Sequence, residues 1–95
     1  MVISDEPGIY REGKYGFRTE NLLLVCEDIK TDFGSFLKFE TLSLCYIDLS
    51  LIEKSLLDAS EIQWLNSYHS VVYEKISPSL GEDEKRWLRE KTREI

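Results

Sequence analysis

An α+β fold is predicted, with antiparallel strands in the N-terminal half followed by two or three helices. Three features predict it. Turn-forming glycine and proline punctuate the first 18 residues. The apolar spacing changes from a period near two to one of about 3.6 at Asp48. Helix-start signals then recur near Ser60 and Glu82, with Pro78 between them.

Pro7-Gly8, Gly13 and Gly16 separate short stretches rich in β-branched and aromatic residues, which reads as short strands joined by a tight hairpin. Thr19 to Glu27 holds Leu22, Leu23, Leu24 and Val25 in succession and suits a central strand buried on both faces. After turn signals from Asp28 to Ser35, the segment Phe36 to Ile47 alternates imperfectly and reads as one long strand or two short ones. Leu49 to Leu56 has room for a short helical turn. Ser60 followed by Gln63 fits a capping box, so a helix is expected from about Glu61. Its apolar stripe, Ile62, Leu65, Tyr68, Val72 and Ile76, advances in steps of three and four, is widened by Trp64 and Val71, and is stopped by Pro78. The last helix starts near Glu82, with Glu82, Asp83 and Glu84 at its positive end and Lys85, Arg86, Arg89, Lys91 and Arg93 later, as its dipole favours. Trp64 and Trp87 read as core or interface anchors.

The chain has 95 residues, the length of one domain, and residues 1–95 read as a single unit without repeats, low-complexity segments or a linker. At 42% hydrophobic and 32% charged residues, the composition is globular rather than disordered. Twelve Lys and Arg against 18 Asp and Glu give a net charge of −6, which argues against nucleic acid as a partner. The longest apolar run, Leu22 to Cys26, is five residues, whereas a bilayer span needs roughly 20, so no membrane is expected. The first residues carry neither a basic nor an apolar leader segment, which points to a cytoplasmic location. Cys26 and Cys45 lie in apolar segments without CxxC spacing and read as buried free thiols rather than a disulfide or zinc site.

The residues with chemical potential are Glu6, in Glu6-Pro7-Gly8, and Glu20, in Arg18-Thr19-Glu20-Asn21. The glycine-rich connection places them on neighbouring antiparallel strands, where opposed Cβ atoms lie about 4.5–5.5 Å apart and two carboxylates need a cation or proton between them. A hard divalent metal supplies such a cation, and a carboxylate can bridge two of them. The alternative is that both are ordinary exposed strand glutamates in an acidic chain. His69 sits on the predicted helix and reads as a partly exposed or core histidine rather than a ligand. The cations of Lys85 to Arg93 alternate with glutamates and read as a solvated helix face.

The stretch Asp5-Glu6-Pro7-Gly8-Ile9-Tyr10, then Gly13, then Tyr15-Gly16-Phe17-Arg18-Thr19-Glu20-Asn21-Leu22-Leu23-Leu24-Val25 resembles the end of the catalytic domain of the Xaa-Pro aminopeptidases, metallopeptidases of family M24 with the pita-bread fold. Phe36-Leu37-Lys38-Phe39-Glu40-Thr41-Leu42 and Glu61-Ile62-Gln63-Trp64-Leu65-Asn66-Ser67-Tyr68-His69 resemble the C-terminal extension of the larger members, the aminopeptidase P branch. Residues 1–27 then correspond to the end of the catalytic domain and 28–95 to the extension. The resemblance implies two divalent metal ions, commonly manganese, held by two Asp, one His and two Glu. Glu6 matches a ligand of one ion, Glu20 the carboxylate that bridges both, and Arg18 an arginine that orients carboxylates near the metals. Thr19 stands where Ile is usual, and Ile9 where Tyr is common; neither position is a ligand.

The other three ligands lie upstream of Glu6 in the family, and only five residues precede it here. The resemblance therefore implies a C-terminal fragment with no complete catalytic set, expected to be inactive and to bind no metal tightly on its own. The parent would hydrolyse the bond between an N-terminal residue and proline, so its partners would be peptides with proline second. The fragment's own partner would be the missing upstream part of the same chain. A sheet cut in this way should bare an edge and an apolar face, favouring homo-oligomers. A stand-alone interaction or dimerisation module is the rival expectation.

Overall fold

One antiparallel register runs through the start of the chain. In the computed structural model, which describes residues 1–95, β1 (Val2–Asp5) pairs with β4 (Asn21–Thr31), and β2 (Gly8–Arg11) pairs with β3 (Tyr15–Arg18). In both ladders the partner numbers add to 26, from Val2 with Leu24 to Arg11 with Tyr15. The two ladders are thus one hairpin interrupted at Pro7, which has no N–H to donate. The Thr19 N–H still donates to the Pro7 carbonyl at 3.1 Å across the interruption. The hairpin closes through Glu12-Gly13-Lys14, with Lys14 N–H bonded to the Arg11 carbonyl at 3.0 Å and Gly13 at φ 69°, a conformation open to glycine.

β4 is the central strand of the order β1-β4-β5, where β5 is Gly34–Thr41. The expected turn at 28–35 is shorter than the sequence suggests. β4 continues to Thr31, a register shift between Glu27 and Lys30 absorbs the irregularity, and Asp32-Phe33 makes the turn. β5 ends at Thr41 instead of continuing to Ile47. Leu42 N–H still meets the Leu22 carbonyl. Beyond it, backbone groups turn to helix side chains, as described below.

The chain gathers into two compact units, 1–43 and 44–95. Residue 27 lies inside β4, and the paired β4 and β5 belong together to the first unit. No residue of the first unit is fully buried. Leu22 is 45% exposed and Leu23 to Cys26 are half-buried, so β4 is central but not buried on both faces. A single sheet layer cannot enclose its own side chains. Both cysteines are free, as expected, but Cys26 is half-buried and Cys45 exposed.

The second unit opens with an acid-x-Ser pattern repeated every five residues: Asp48-Leu49-Ser50, Glu53-Lys54-Ser55 and Asp58-Ala59-Ser60. Each carboxylate accepts from its serine hydroxyl at 2.7 Å and caps the turn that follows. The first two turns are single 3₁₀ turns, Leu49–Leu51 and Lys54–Leu56. The third starts α1 (Ala59–Ile76). These bonds, the serine hydroxyl first, hold all three carboxyls below their ordinary pKa.

The capping box is Asp58 with Glu61, not Ser60 with Gln63, and the helix starts two residues earlier than expected. Glu61 N–H donates to Asp58 Oδ1 at 2.9 Å, and Asp58 N–H to Glu61 Oε2 at 2.8 Å. Ser60 is occupied in donating to Asp58. α1 buries Leu65, Tyr68, His69 and Val72, and α2 (Glu82–Lys91) buries Leu88. The 3₁₀ turn Ser77–Ser79, with Pro78 inside it, separates the two helices. Trp64 and Trp87 are half-exposed rather than core. Trp64 stacks on Tyr68 at 5.2 Å, and Trp87 meets Tyr46 edge-on at 5.4 Å. The charged face of α2 is laced by pairs three apart, Lys85 with Glu82, Arg86 with Asp83, and Arg93 with Glu90, the last from just beyond the helix.

Polar groups of α1 hold non-helical backbone on the unit. The Tyr68 hydroxyl donates to the Cys45 carbonyl at 3.0 Å and accepts from Cys45 N–H at 3.4 Å. His69 Nε2 accepts from Ile47 N–H at 2.9 Å. The Asn66 amide exchanges two bonds with the backbone of Ile95, at 3.0 and 3.4 Å. The N–H groups of Cys45 and Ile47 are used here, and residues 44–48 join no ladder.

Asp58→Ala should lower the melting temperature by about 5 °C, because it opens the capping box, whereas Ser60→Ala should change it by much less. Circular dichroism at 222 nm reads both. Leu65→Ala should cost about 2–5 kcal/mol, most of the stability of so small a core, and urea unfolding should show the helical signal lost first.

Candidate functional site

Side chains of alternate residues share one face of a strand, so Ser4, Glu6, Gly8 and Tyr10 lie on the same side of the hairpin as Gly16, Arg18 and Glu20. The common register sets Glu6 opposite Glu20 and Gly8 opposite Arg18. The two acids singled out from the sequence are therefore brought together, with Arg18 diagonal to Glu6.

Arg18 joins them. Its Nε donates to Glu20 Oε2 at 3.1 Å and lies 3.6 Å from Glu6 Oε2. Ser4 Oγ donates to the other Glu6 oxygen, Oε1, at 2.7 Å. All three charged side chains are about half exposed. Ion pairs this wet contribute little to stability, so the arrangement orients the carboxylates more than it stabilises the hairpin.

Tyr10 completes the face, and the sequence reading did not assign it a role. Hydrogen bonding to Tyr10 first, then to Glu20, raises the Arg18 pKa above its ordinary value, so the guanidinium stays charged. Two glycines make room for the ring. A Cβ at Gly16 would lie 2.7 Å from Tyr10 Cδ1, and one at Gly8 would lie 2.8 Å from the Tyr10 hydroxyl, the Arg18 Cβ and the Phe17 carbonyl. The signal was present in the spacing: a tyrosine opposite one glycine and two residues from another, with an arginine opposite the second.

No group of three or more His, Cys, Asp or Glu side chains is gathered as a metal cage. His69 is buried in the second unit and bonded to Ile47. Glu12 lies in the hairpin loop. No helix is long and apolar enough to cross a membrane.

The chain is similar along its whole length to parts of larger proteins. It is 41% identical over 100 residues to a Probable Xaa-Pro aminopeptidase P of Coprinopsis cinerea, covering 100% of this chain and 16% of that protein. It is 43% identical over 100 residues to Aminopeptidase P2 of Arabidopsis thaliana, covering 100% of this chain and 14% of the relative. The crystal structure of an X-prolyl aminopeptidase from Caenorhabditis elegans, described as a cytosolic enzyme with a di-nuclear active site, superposes with a TM-score of 0.87 at 38% identity. That match covers 99% of this chain and 16% of the enzyme's. The chain thus spans about a sixth of the length of these relatives. The family model for the C-terminal region of peptidase_M24 matches residues 35–95, and the chain belongs to that family.

Proposed function

We propose that the chain is the C-terminal part of a cytoplasmic metal-dependent Xaa-Pro aminopeptidase, which hydrolyses the bond between an N-terminal residue and a following proline. The observation that carries this reading is the pairing of Glu6 with Glu20 across one register, with Arg18 on both. The shared likeness to aminopeptidases P supports it. The donor chemistry fits hard divalent ions, manganese among them: carboxylate oxygens on one face, half exposed and so reachable. Glu6 would hold one ion and Glu20 would bridge two, with the remaining ligands supplied from upstream chain. The chemistry such ions supply when bound is polarisation of the scissile carbonyl and activation of a water.

The chain's own residues orient these donors. Arg18 holds Glu20 and approaches Glu6, and Ser4 fixes the second oxygen of Glu6. The exposed apolar side chains of the first unit, Ile9, Phe17, Leu37 and Phe39 among them, suit burial against that upstream chain or, without it, self-association.

In the longer enzyme, Glu20→Gln keeps the shape but removes the bridging charge, and activity should fall by orders of magnitude with one metal lost by elemental analysis. Glu6→Gln should also be severe, and Glu12→Gln nearly silent. The isolated 95-residue chain should not cleave an Xaa-Pro peptide with Mn²⁺ present. Full activity and both metals after Glu20→Gln would return the pair to the reading of ordinary strand glutamates. Arg18→Gln removes the guanidinium that holds Glu20 and approaches Glu6 and should lower kcat/KM about 10-fold to 100-fold while the fold persists, read by steady-state kinetics beside circular dichroism.

A further inference from the structure

The chain's single histidine is wholly buried on α1 and takes no part in the acidic face. Its Nε2 accepts from Ile47 N–H at 2.9 Å, so Nε2 carries the lone pair and the neutral ring's proton sits on Nδ1. Nδ1 is itself buried with no partner in the protein. A second proton can therefore enter only at Nε2, the atom that holds Ile47. Charging the ring removes that acceptor, sets two N–H groups against each other, and places a cation in a buried site.

Nothing nearby would neutralise that cation. The titratable neighbours are Tyr68, its ring 6.1 Å away on the same helix, and Cys45 on the extended segment, whose backbone bonds to the Tyr68 hydroxyl. No charged side chain shifts the ring; burial alone acts, and it lowers the histidine pKa. Residues 45–47 are held by three adjacent contacts: Cys45 to the Tyr68 hydroxyl, Tyr46 to the edge of Trp87, and Ile47 to His69. Only the last titrates near neutral pH.

We propose that His69 is an acid-sensitive latch, which in its neutral form holds the segment at Ile47 on α1 and on protonation releases it there. The released segment joins the helical unit to the chain before it, so the latch sets how firmly the unit is closed at its entry. The sign follows from the ring's environment. The folded pKa lies below the ordinary value near 6.5, so opening takes up a proton. Closure is fully favoured above about pH 6.5 and weakens as pH falls, the opening constant rising by at most about tenfold per pH unit.

The test is an NMR titration of the 95-residue chain from pH 7.5 to 5, following the His69 ring carbons and the exchange protection factor of the Ile47 amide. The ring midpoint should lie below pH 6.5, and Ile47 protection should fall as the pH falls, by up to tenfold per unit. Protection in β4 should stay flat, because the chain's single histidine lies in the other unit. His69→Gln offers a non-titrating acceptor to Ile47 and should abolish the pH dependence while keeping the amide protected. A ring midpoint at or above 6.5, or Ile47 protection that is flat across the range, overturns the proposal. If the variant does not fold, the two wild-type curves decide alone.

Discussion

The acidic face exists because a single strand register survives a proline. Pro7 breaks the ladder of the first hairpin, yet the pairs before and after it share one alignment, and the Thr19 bond to the Pro7 carbonyl spans the gap. A slip of one residue would send Glu6 to the opposite face from Glu20. The turn at Gly13 and the paired ends at Val2 and Leu24 set this register from both sides. Pro7 also leaves the backbone beside Glu6 free of strand pairing. The carboxylates therefore sit where the hairpin is least constrained by its own ladder and most constrained by its neighbours.

The helical unit solves a different problem. Its core is small, four apolar or aromatic side chains and one histidine. It gains closure by making three polar-capable positions on α1, Asn66, Tyr68 and His69, serve backbone that has no partner of its own. Extended segments on a helical surface otherwise expose N–H and C=O groups with no ladder to join. Here helix side chains replace the missing neighbouring strand.

Much of this was legible. The α+β class, the strand-rich start, the central position of β4, the stop at Pro78 and the start of α2 at Glu82 follow from turn residues and period, which are local signals. The opposition of Glu6 and Glu20 was legible too, because a short glycine turn leaves few registers. What escaped was set by partners remote in sequence. The partners of the Cys45 and Ile47 backbone are Tyr68 and His69, more than 20 residues away. Ser60 and Asp58 both satisfy the capping pattern, but the Ser60 hydroxyl is spent donating to the Asp58 carboxylate, which also accepts from Glu61 N–H. The burial of Leu22 to Val25 was overread because an apolar run reports what a strand can bury, not what one sheet layer supplies.

The paired glycines of the hairpin carry a consequence for how sequences of this kind can vary. Gly16 lies beneath the Tyr10 ring, and Gly8 lies beneath its hydroxyl and beside Arg18. Each is small because another residue on the same face is large, so the four positions do not drift independently. A lineage that shortened Tyr10 would free Gly16 to acquire a side chain, whereas Gly8 would still be confined by the Phe17 carbonyl and the Arg18 Cβ. Across related chains, Gly16 should covary with the aromatic ring, while Gly8 should follow the backbone and stay glycine even where the tyrosine is gone.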